Sequence, residues 1–251
     1  MILLNKTILL QITFFFLAGG LSVMSVPLEH SSEDLIKNDP LEPSVIILSH
    51  LSRLPENELL QIKIAALSGD ASSAFRIIRH YTDTSEIIKW LIIGTENGHL
   101  EMQLGLGNLL LNVRRDFESN NRGIFWLHQL AIVNYRNAEA WLNRFGISIE
   151  EAQPPDDSLF YNEYTELNSS MLEQYKEGAL RGNKRAAWIL GKYYSEIQSN
   201  NDLSEYWHRI GAQNGNPESQ YILGQILINK ENNFDQIRGE FWLRQAAKQE
   251  R

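Results

Sequence analysis

The sequence predicts an all-α protein built of stacked antiparallel helix pairs. Apolar residues recur at intervals of three and four positions from Ser44 onward, for example at Leu60, Ile64 and Leu67, which is the period of an amphipathic helix. No stretch alternates apolar and polar residues for long enough to indicate a strand. Similar segments also return along the chain, which is typical of proteins that stack small helical units.

Length and composition agree with a folded, acidic protein. The chain has 251 residues, of which 43% are hydrophobic, and this suffices for a sizeable core. Its 31 acidic and 23 basic residues give a net charge of -8, which opposes the phosphate backbone, so we expect no nucleic-acid partner. The chain has no cysteine, which excludes a disulfide, a thiolate zinc site and a thiol nucleophile.

Residues 1–25 have the layout of a secretory signal peptide: Lys6, then an apolar run, then small residues. Cleavage is expected near Ser25, with Ala18-x-Gly20 as the alternative site. A retained anchor is the other possibility, because residues 7–24 approach the length of a membrane helix, although Gln11 and two adjacent glycines weaken it.

The localisation expected from this segment is the bacterial periplasm. Leu21 stands where a lipoprotein would need its lipidated cysteine, so we expect no lipid anchor. The absence of cysteine in an exported chain fits the periplasm better than a eukaryotic secretory route. After cleavage, no membrane insertion is expected.

Prolines and small polar residues divide the rest of the chain. Residues 26–43 contain three prolines and no sustained periodicity, which predicts a flexible lead-in. Residues 44–149 form an N-terminal block of degenerate helical repeats. Residues 150–170 are an acidic insertion that contains two prolines, and residues 171–251 form a C-terminal block of clearer repeats.

Two alignments reveal the repeats. The segment GEFWLRQAAKQ at residues 239–249 resembles GIFWLHQLAIV at residues 123–133, and GHLEMQLGLG, starting at Gly98, resembles GNPESQYILG, starting at Gly215. A shift of 33 residues places Leu190-Gly191 on Leu223-Gly224. The repeated unit is therefore a helix that carries Leu-Gly, a link, a helix that carries tryptophan and alanine, and a turn centred on glycine.

The repeated residues have packing roles. A glycine inside a helix costs about 1 kcal/mol relative to alanine, so Gly107, Gly191 and Gly224 predict close helix–helix approaches. The tryptophans are predicted to fill the core between helix pairs. They are Trp126, Trp207 and Trp242. The turn glycines are predicted to end helices in a left-handed conformation; three of them follow an alanine by three positions, and Asn134 takes the same role after Ala131. The turn glycines are Gly69, Gly98, Gly182 and Gly215.

These residues resemble Sel1-like repeats, the short relatives of tetratricopeptide repeats. The resemblance is best over residues 182–248 and weaker over residues 98–142, and at residues 59–81 only the turn is kept. The glycine-rich link of the family is absent, and residues 150–170 interrupt the array. The resemblance implies a right-handed α-solenoid of about five helix pairs whose concave surface binds another protein.

Catalytic and metal-binding patterns are absent from the sequence. The six histidines are scattered singly, and His128 and His208, each just after a tryptophan, are predicted to lie at the surface or in a groove. The Gly-x-Gly at residues 105–107 lacks a third glycine and a preceding strand, and no Gly-x-Ser-x-Gly is present. The acidic pairs at residues 150–151 and 156–157 are predicted to be solvated. We expect no enzymatic activity, no cofactor and no metal.

The expected function is therefore protein binding. Sel1-like proteins act as adaptors, and exported bacterial members include immunity proteins that block toxic effectors such as type VI secretion lipases. The first hypothesis is a non-catalytic periplasmic module that binds and occludes a secreted toxin. The alternative is an envelope scaffold or regulatory adaptor that organises cell-wall enzymes or a host interaction, with an envelope protein as its partner.

Four polar residues are the candidate partner contacts. The residue after the helix glycine is polar in each clear unit, and the corresponding residue after Leu142-Asn143 is basic. Stacked helices would align these side chains in one column, which could line the binding groove or face water. The four residues are Asn108, Arg144, Lys192 and Gln225.

Overall fold

A computed structural model describes residues 54–249 apart from 82, 115 and 137. The predicted signal peptide at 1–25, the lead-in at 26–43 and the first ten residues of the N-terminal block lie outside the described residues. Leu60–Arg251 form one compact unit. The preceding unit, Met1–Leu59, is described only from residue 54.

The described residues contain twelve α-helices and no strand, which confirms the all-α prediction. The helices are α1 (Glu56–Leu67), α2 (Ala71–Ile78), α3 (Thr84–Glu96), α4 (Leu100–Leu109), α5 (Phe117–Ala131), α6 (Ala138–Arg144), α7 (Ile149–Ala152), α8 (Ser169–Leu180), α9 (Lys184–Lys192), α10 (Asn201–Gln213), α11 (Pro217–Ile228) and α12 (Asn233–Gln249). Short π-helical segments extend α4 (Leu110–Arg114) and α9 (Tyr193–Ile197). Two 3-10 turns, Asp157–Leu159 and Tyr164–Glu166, precede α8.

The turns adopt the predicted conformations. Gly69, Gly98, Gly182 and Gly215 all have positive φ angles, between 86° and 114°. Asn134, predicted to replace glycine in the same role, has φ 53°. After Gly69, Gly182 and Gly215 the next helix begins with a side-chain cap, as where the Asn183 side chain accepts a hydrogen bond from the Ala186 amide at 2.7 Å.

Neighbouring helices pack in sequence within two blocks, α1–α5 and α8–α12. From α2 to α5 and from α8 to α12 each helix contacts the next, and in the second block α8 also contacts α10 and α9 contacts α11. The helices α6 and α7 lie between the blocks in sequence, and both contact α5. The two blocks are the structural form of the sequence repeat.

Glycines inside the helices allow the close approaches that the sequence predicted. A Cβ on Gly107 would lie 2.9 Å from the Leu127 side chain, and one on Gly224 would lie 2.8 Å from the Leu243 side chain. A Cβ on Gly191 would lie 2.5 Å from the ring of His208. The repeated tryptophans, Trp126, Trp207 and Trp242, are buried as predicted.

The two histidines predicted at the surface or in a groove are buried, so that prediction is wrong for His128 and His208. The His208 ring occupies the space left open by Gly191, and its Nδ1 lies 3.5 Å from Ser219 Oγ. Burial, followed by the nearby Lys192 charge, lowers the pKa of His208 to about 4. A single histidine after a tryptophan gives no indication in the sequence that a glycine on the facing helix will receive it.

The buried His208 predicts acid sensitivity. Its pKa is lower in the folded chain than the usual 6.5, so the unfolded chain binds more protons as the pH falls. The stabilising contribution of neutral His208 is complete above pH 6.5 and is lost as the pH falls towards 4, by about 3 kcal/mol. Urea unfolding of the wild type and of His208→Gln at pH 7.5, 5.5 and 4.5 measures this loss. The variant should lose less stability than the wild type over this range, and parallel losses would contradict the assignment.

The acidic insertion at 150–170 packs on the second block. Phe160 is only 1% exposed, and a Cβ on Gly178 would lie 2.2 Å from its ring. Arg185 Nε donates a hydrogen bond to the Phe160 carbonyl at 2.6 Å, and Asn183 Nδ2 donates one to Asp157 Oδ1 at 2.8 Å. The insertion is therefore an ordered segment that covers α8 and α9.

Candidate binding site

Two buried arginines occupy equivalent places in the two blocks. Arg122 and Arg238 each precede the glycine of the repeated Gly-x-Phe-Trp-Leu segment, on the last helix of their block. Each guanidinium lies over the phenylalanine ring of its own segment, at 4.2 Å from the Phe125 centroid and 3.8 Å from the Phe241 centroid. Their hydrogen bonds, however, go to the opposite block.

Arg238, in the second block, binds the ends of α1 and α3 in the first block. Its Nη1 donates to the Leu67 carbonyl at 3.3 Å and to Asn97 Oδ1 at 2.7 Å. Its Nη2 donates to Glu96 Oε2 at 2.6 Å, which forms an ion pair with both side chains buried. The neighbouring Phe241 ring fits against Gly69, where a Cβ would come within 2.8 Å.

Arg122, in the first block, repeats this arrangement at the ends of α8 and α10. Its Nη1 donates to the Leu180 carbonyl at 3.3 Å and to Asn214 Oδ1 at 2.8 Å, and its Nη2 donates to Gln213 Oε1 at 2.8 Å. Phe125 fits against Gly182, where a Cβ would come within 2.5 Å. The last helix of each block is thus fixed to the first and third helices of the other.

The two arginine clusters meet through one hydrogen bond. Gln213 Nε2 donates to Glu96 Oε1 at 2.8 Å, so Arg122, Gln213, Glu96 and Arg238 form a continuous chain. Glu96 and Gln213 hold equivalent positions, each followed by Asn-Gly, but only one is charged. Burial lowers the pKa of Arg122 to about 9, and it also lowers the pKa of Arg238, where the Glu96 carboxylate opposes the shift.

A cavity of about 180 Å³ lies beside these hydrogen-bonded side chains, where residues of both blocks meet. We call it the interblock cavity. The tryptophans of the two repeated segments form part of its wall, together with the carboxyl-terminal residues of α3 and α10. Its lining includes Thr95, Glu96, Trp126, Gln213, Trp242 and Gln245.

A second candidate surface is the acidic segment at 150–170. It has six acidic residues and no basic one. On either side of the buried Phe160, Leu159 is 51% exposed and Tyr161 is 73% exposed. Two apolar side chains are thus presented to solvent on an ordered, negatively charged segment.

The four predicted contact residues lie in different environments. Arg144 and Gln225 are exposed, and Gln225 Nε2 donates to Tyr221 Oη at 2.8 Å. Lys192 is half-buried, forms an ion pair with Glu196 and lies 5.6 Å from the centroid of the Tyr164 ring, while Tyr164 Oη donates to Glu196 at 2.5 Å.

The remaining predicted contact, Asn108, is half-buried, and its amide atoms have no hydrogen-bond partner in the protein. Within the described part of the chain, no hydrogen bond or ion pair joins any two of the four predicted residues. Lys192 instead links α9 to the acidic segment through Glu196 and Tyr164.

The sequence reasoning missed the arginine chain and the cavity. A repeated arginine stands one position before each Gly-x-Phe-Trp-Leu segment, so an Arg-Gly pair could have extended the motif. The residues that receive it, Glu96-Asn97 and Gln213-Asn214, also form a repeated pair before a turn glycine. No periodicity, however, indicates that each arginine crosses to the opposite block.

Residues 54–249, as far as the structure describes them, contain no group of three or more histidine and acidic side chains arranged to hold a metal ion. None of the described helices has both the length and the apolar character required to span a bilayer. Comparison with protein-family models, curated proteins and solved structures finds no match to this chain.

Proposed function

We propose that the protein is a non-catalytic, periplasmic protein-binding module, and that its specific task is to bind and occlude a secreted toxin. In this proposal the helix pairs of each block stack as Sel1-like units of a right-handed α-solenoid. The contacts of α8 with α10 and of α9 with α11 support this stacking. The resemblance to exported Sel1-like proteins supports the role in protein binding.

The observation that carries the proposal is the exposed pair Leu159 and Tyr161. Tyrosine is among the residue types that dominate protein interfaces, and side chains on an ordered scaffold lose little further conformational entropy when a partner buries them. The buried Phe160 between them, held by the Arg185 bond to its carbonyl, fixes their position before a partner arrives.

Charge favours a basic partner. All six carboxylates of residues 150–170 are exposed, and they repel one another without a basic residue in the segment. A basic partner surface would relieve this repulsion and speed association through long-range attraction. A toxin with a basic rim around its active site is the partner that this surface fits.

Three of the four predicted contact residues belong to the same proposal. Arg144 and Gln225 are exposed and can contact a partner directly. Lys192 contributes by holding the second 3-10 turn of the acidic segment, through Glu196 and Tyr164. The fourth predicted contact, Asn108, does not belong to it, because both of its amide atoms are buried and out of a partner's reach.

Replacing both Leu159 and Tyr161 by serine should weaken partner binding at least about tenfold, because the apolar contacts are lost. The free energy of unfolding should change by less than about 0.5 kcal/mol, since both side chains are exposed. Capture from an extract of the source bacterium identifies the partner, and calorimetric titration of that purified partner measures the affinity. The matched control is Ile132→Ser with Val133→Ser, an exposed apolar pair at the end of α5.

Binding that survives the Leu159/Tyr161 change but not the Ile132/Val133 change would place the interface elsewhere and contradict the proposal. A captured toxin should also arrest growth when it is produced alone in the periplasm, and co-production of this chain should restore growth. Capture of a non-toxic cell-wall enzyme instead would favour the envelope scaffold.

A further inference from the structure

The sequence contains two Asn-Gly pairs, and both lie in the arginine clusters. They are Asn97-Gly98, at the end of α3, and Asn214-Gly215, at the end of α10. The turn glycines that end α1 and α8 follow a serine and an arginine instead. Asparagine therefore precedes a turn glycine at the two turns where an arginine of the opposite block donates to it.

An Asn-Gly pair can undergo a covalent reaction that needs only water. The backbone nitrogen of the glycine attacks the side-chain Cγ of the asparagine, a five-membered succinimide closes, and the amide nitrogen leaves as ammonia with the proton of the glycine N–H. Water then opens the ring at one of its two carbonyls, which gives aspartate or isoaspartate. Glycine favours this attack because it has no Cβ to hinder its nitrogen and its backbone is the least restricted.

The side-chain amide of each asparagine is held at both of its polar atoms. Asn97 Nδ2 donates to the Ala66 carbonyl at 2.7 Å, and Asn97 Oδ1 accepts from Arg238 Nη1 at 2.7 Å. The second cluster repeats these bonds on Asn214, at 2.7 Å and 2.8 Å. Neither amide can turn towards the glycine nitrogen without losing its bond to the arginine of the opposite block.

The backbone of each helix end also opposes the reaction. Ring closure requires the glycine nitrogen to lie nearly eclipsed with the Cβ of the asparagine. At both asparagines ψ is -2°, which places the glycine nitrogen eclipsed with the asparagine's own nitrogen instead. The glycine N–H groups donate to the carbonyls of Thr95 and Ala212, at 3.0 Å and 3.1 Å. The last turn of α3 or α10 must therefore open before the ring can close.

We propose that Asn97 and Asn214 are deamidation sites, each protected by the arginine of the opposite block. Helix ends open locally at little cost, and here the arginine holds the end closed. The rate of deamidation then follows the fraction of molecules in which that cluster is open. Either product lacks the Nδ2 donor of the asparagine, so a cluster that has reacted does not regain all the hydrogen bonds of its docked form.

The test compares rates of deamidation in the full chain at pH 7.5. Digestion followed by mass spectrometry separates the two Asn-Gly peptides and measures the mass gained by each. In the folded wild type we expect both sites to react at least about tenfold more slowly than in guanidinium chloride, where the clusters are open. Equal rates in the two conditions would show that the fold gives no protection.

Arg238→Met should accelerate deamidation of Asn97 at least about tenfold, with a smaller effect on Asn214, which Arg122 still holds. The matched control is Arg244→Met, an exposed arginine of the same helix that donates to the Ser68 carbonyl of the first block at 3.2 Å. This control should leave both rates unchanged.

Circular dichroism verifies that each variant is folded. If Arg238→Met does not fold, Arg238→Lys replaces it, because lysine keeps the charge beside Glu96 but lacks the planar fork that binds Glu96 and Asn97 together. The same acceleration at Asn97 is then expected from lysine. An unchanged rate at Asn97 in the folded variant, equal acceleration at both sites, or the same acceleration in Arg244→Met would overturn the proposal.

Discussion

Arg238→Met is expected to lower the free energy of unfolding by about 3–5 kcal/mol, since breaking a buried ion pair leaves its partner charge without compensation. The Glu96 carboxylate would lose its 2.6 Å bond to Arg238 Nη2 while remaining buried. The Leu67 carbonyl and Asn97 Oδ1 would also lose their donor, so the attachment of α12 to the first block would weaken. Urea unfolding at pH 7.5, followed by far-ultraviolet circular dichroism, measures the change.

The Arg122 cluster offers a natural control for this prediction. In it, Arg122 binds the Gln213 amide oxygen rather than a carboxylate. Glu96→Gln therefore gives the Arg238 cluster the arginine–glutamine pairing that the Arg122 cluster already has. Glu96→Gln alone should therefore cost less than Arg238→Met. In the double variant Glu96→Gln/Arg238→Met no buried carboxylate is left unpaired, so it should be more stable than the sum of the single changes predicts. Strictly additive changes would show that Glu96 and Arg238 do not act as a pair.

The local features of the fold could be predicted because they depend on neighbouring residues in the chain. A turn glycine such as Gly182 is needed where φ is positive, and a helix glycine such as Gly224 is needed where a neighbour approaches closely. Both requirements place glycine at fixed intervals along the sequence, where a comparison of repeated segments detects it. The all-α class and the buried tryptophans follow from the same kind of pattern.

The docking between blocks could not be predicted, because its residues are far apart in sequence. Arg238 lies 171 positions from Leu67, whose carbonyl it binds, and Arg122 lies 92 positions from Asn214. A repeat establishes that two segments need similar surroundings, but it does not specify which copy supplies them. Each block here supplies the surroundings of the other block's last helix.

This exchange also explains where the candidate sites lie. The four predicted contact residues were chosen by their position in a single unit, and the structure leaves two of them exposed and two half-buried. The interblock cavity, in contrast, needs Thr95 from one block and Trp242 from the other. A site formed by two copies of a repeat becomes visible only after the pairing of the copies is known.

Trp207→Ala and Trp242→Ala should each lower the free energy of unfolding by about 3–5 kcal/mol, as truncations of large side chains in a packed core. Trp207 belongs to the core of residues from α8, α9 and α10, and Trp242 packs with Ala212, Leu223, Leu227 and Phe241. Chemical unfolding of each variant measures the loss, and Trp141→Ala, at a half-buried position outside the two blocks, is the control with the smaller expected change.

A cost below about 1 kcal/mol for either truncation would mean that the repeated tryptophans do not carry the packing between helices, and the reason for their recurrence would have to be sought in binding instead.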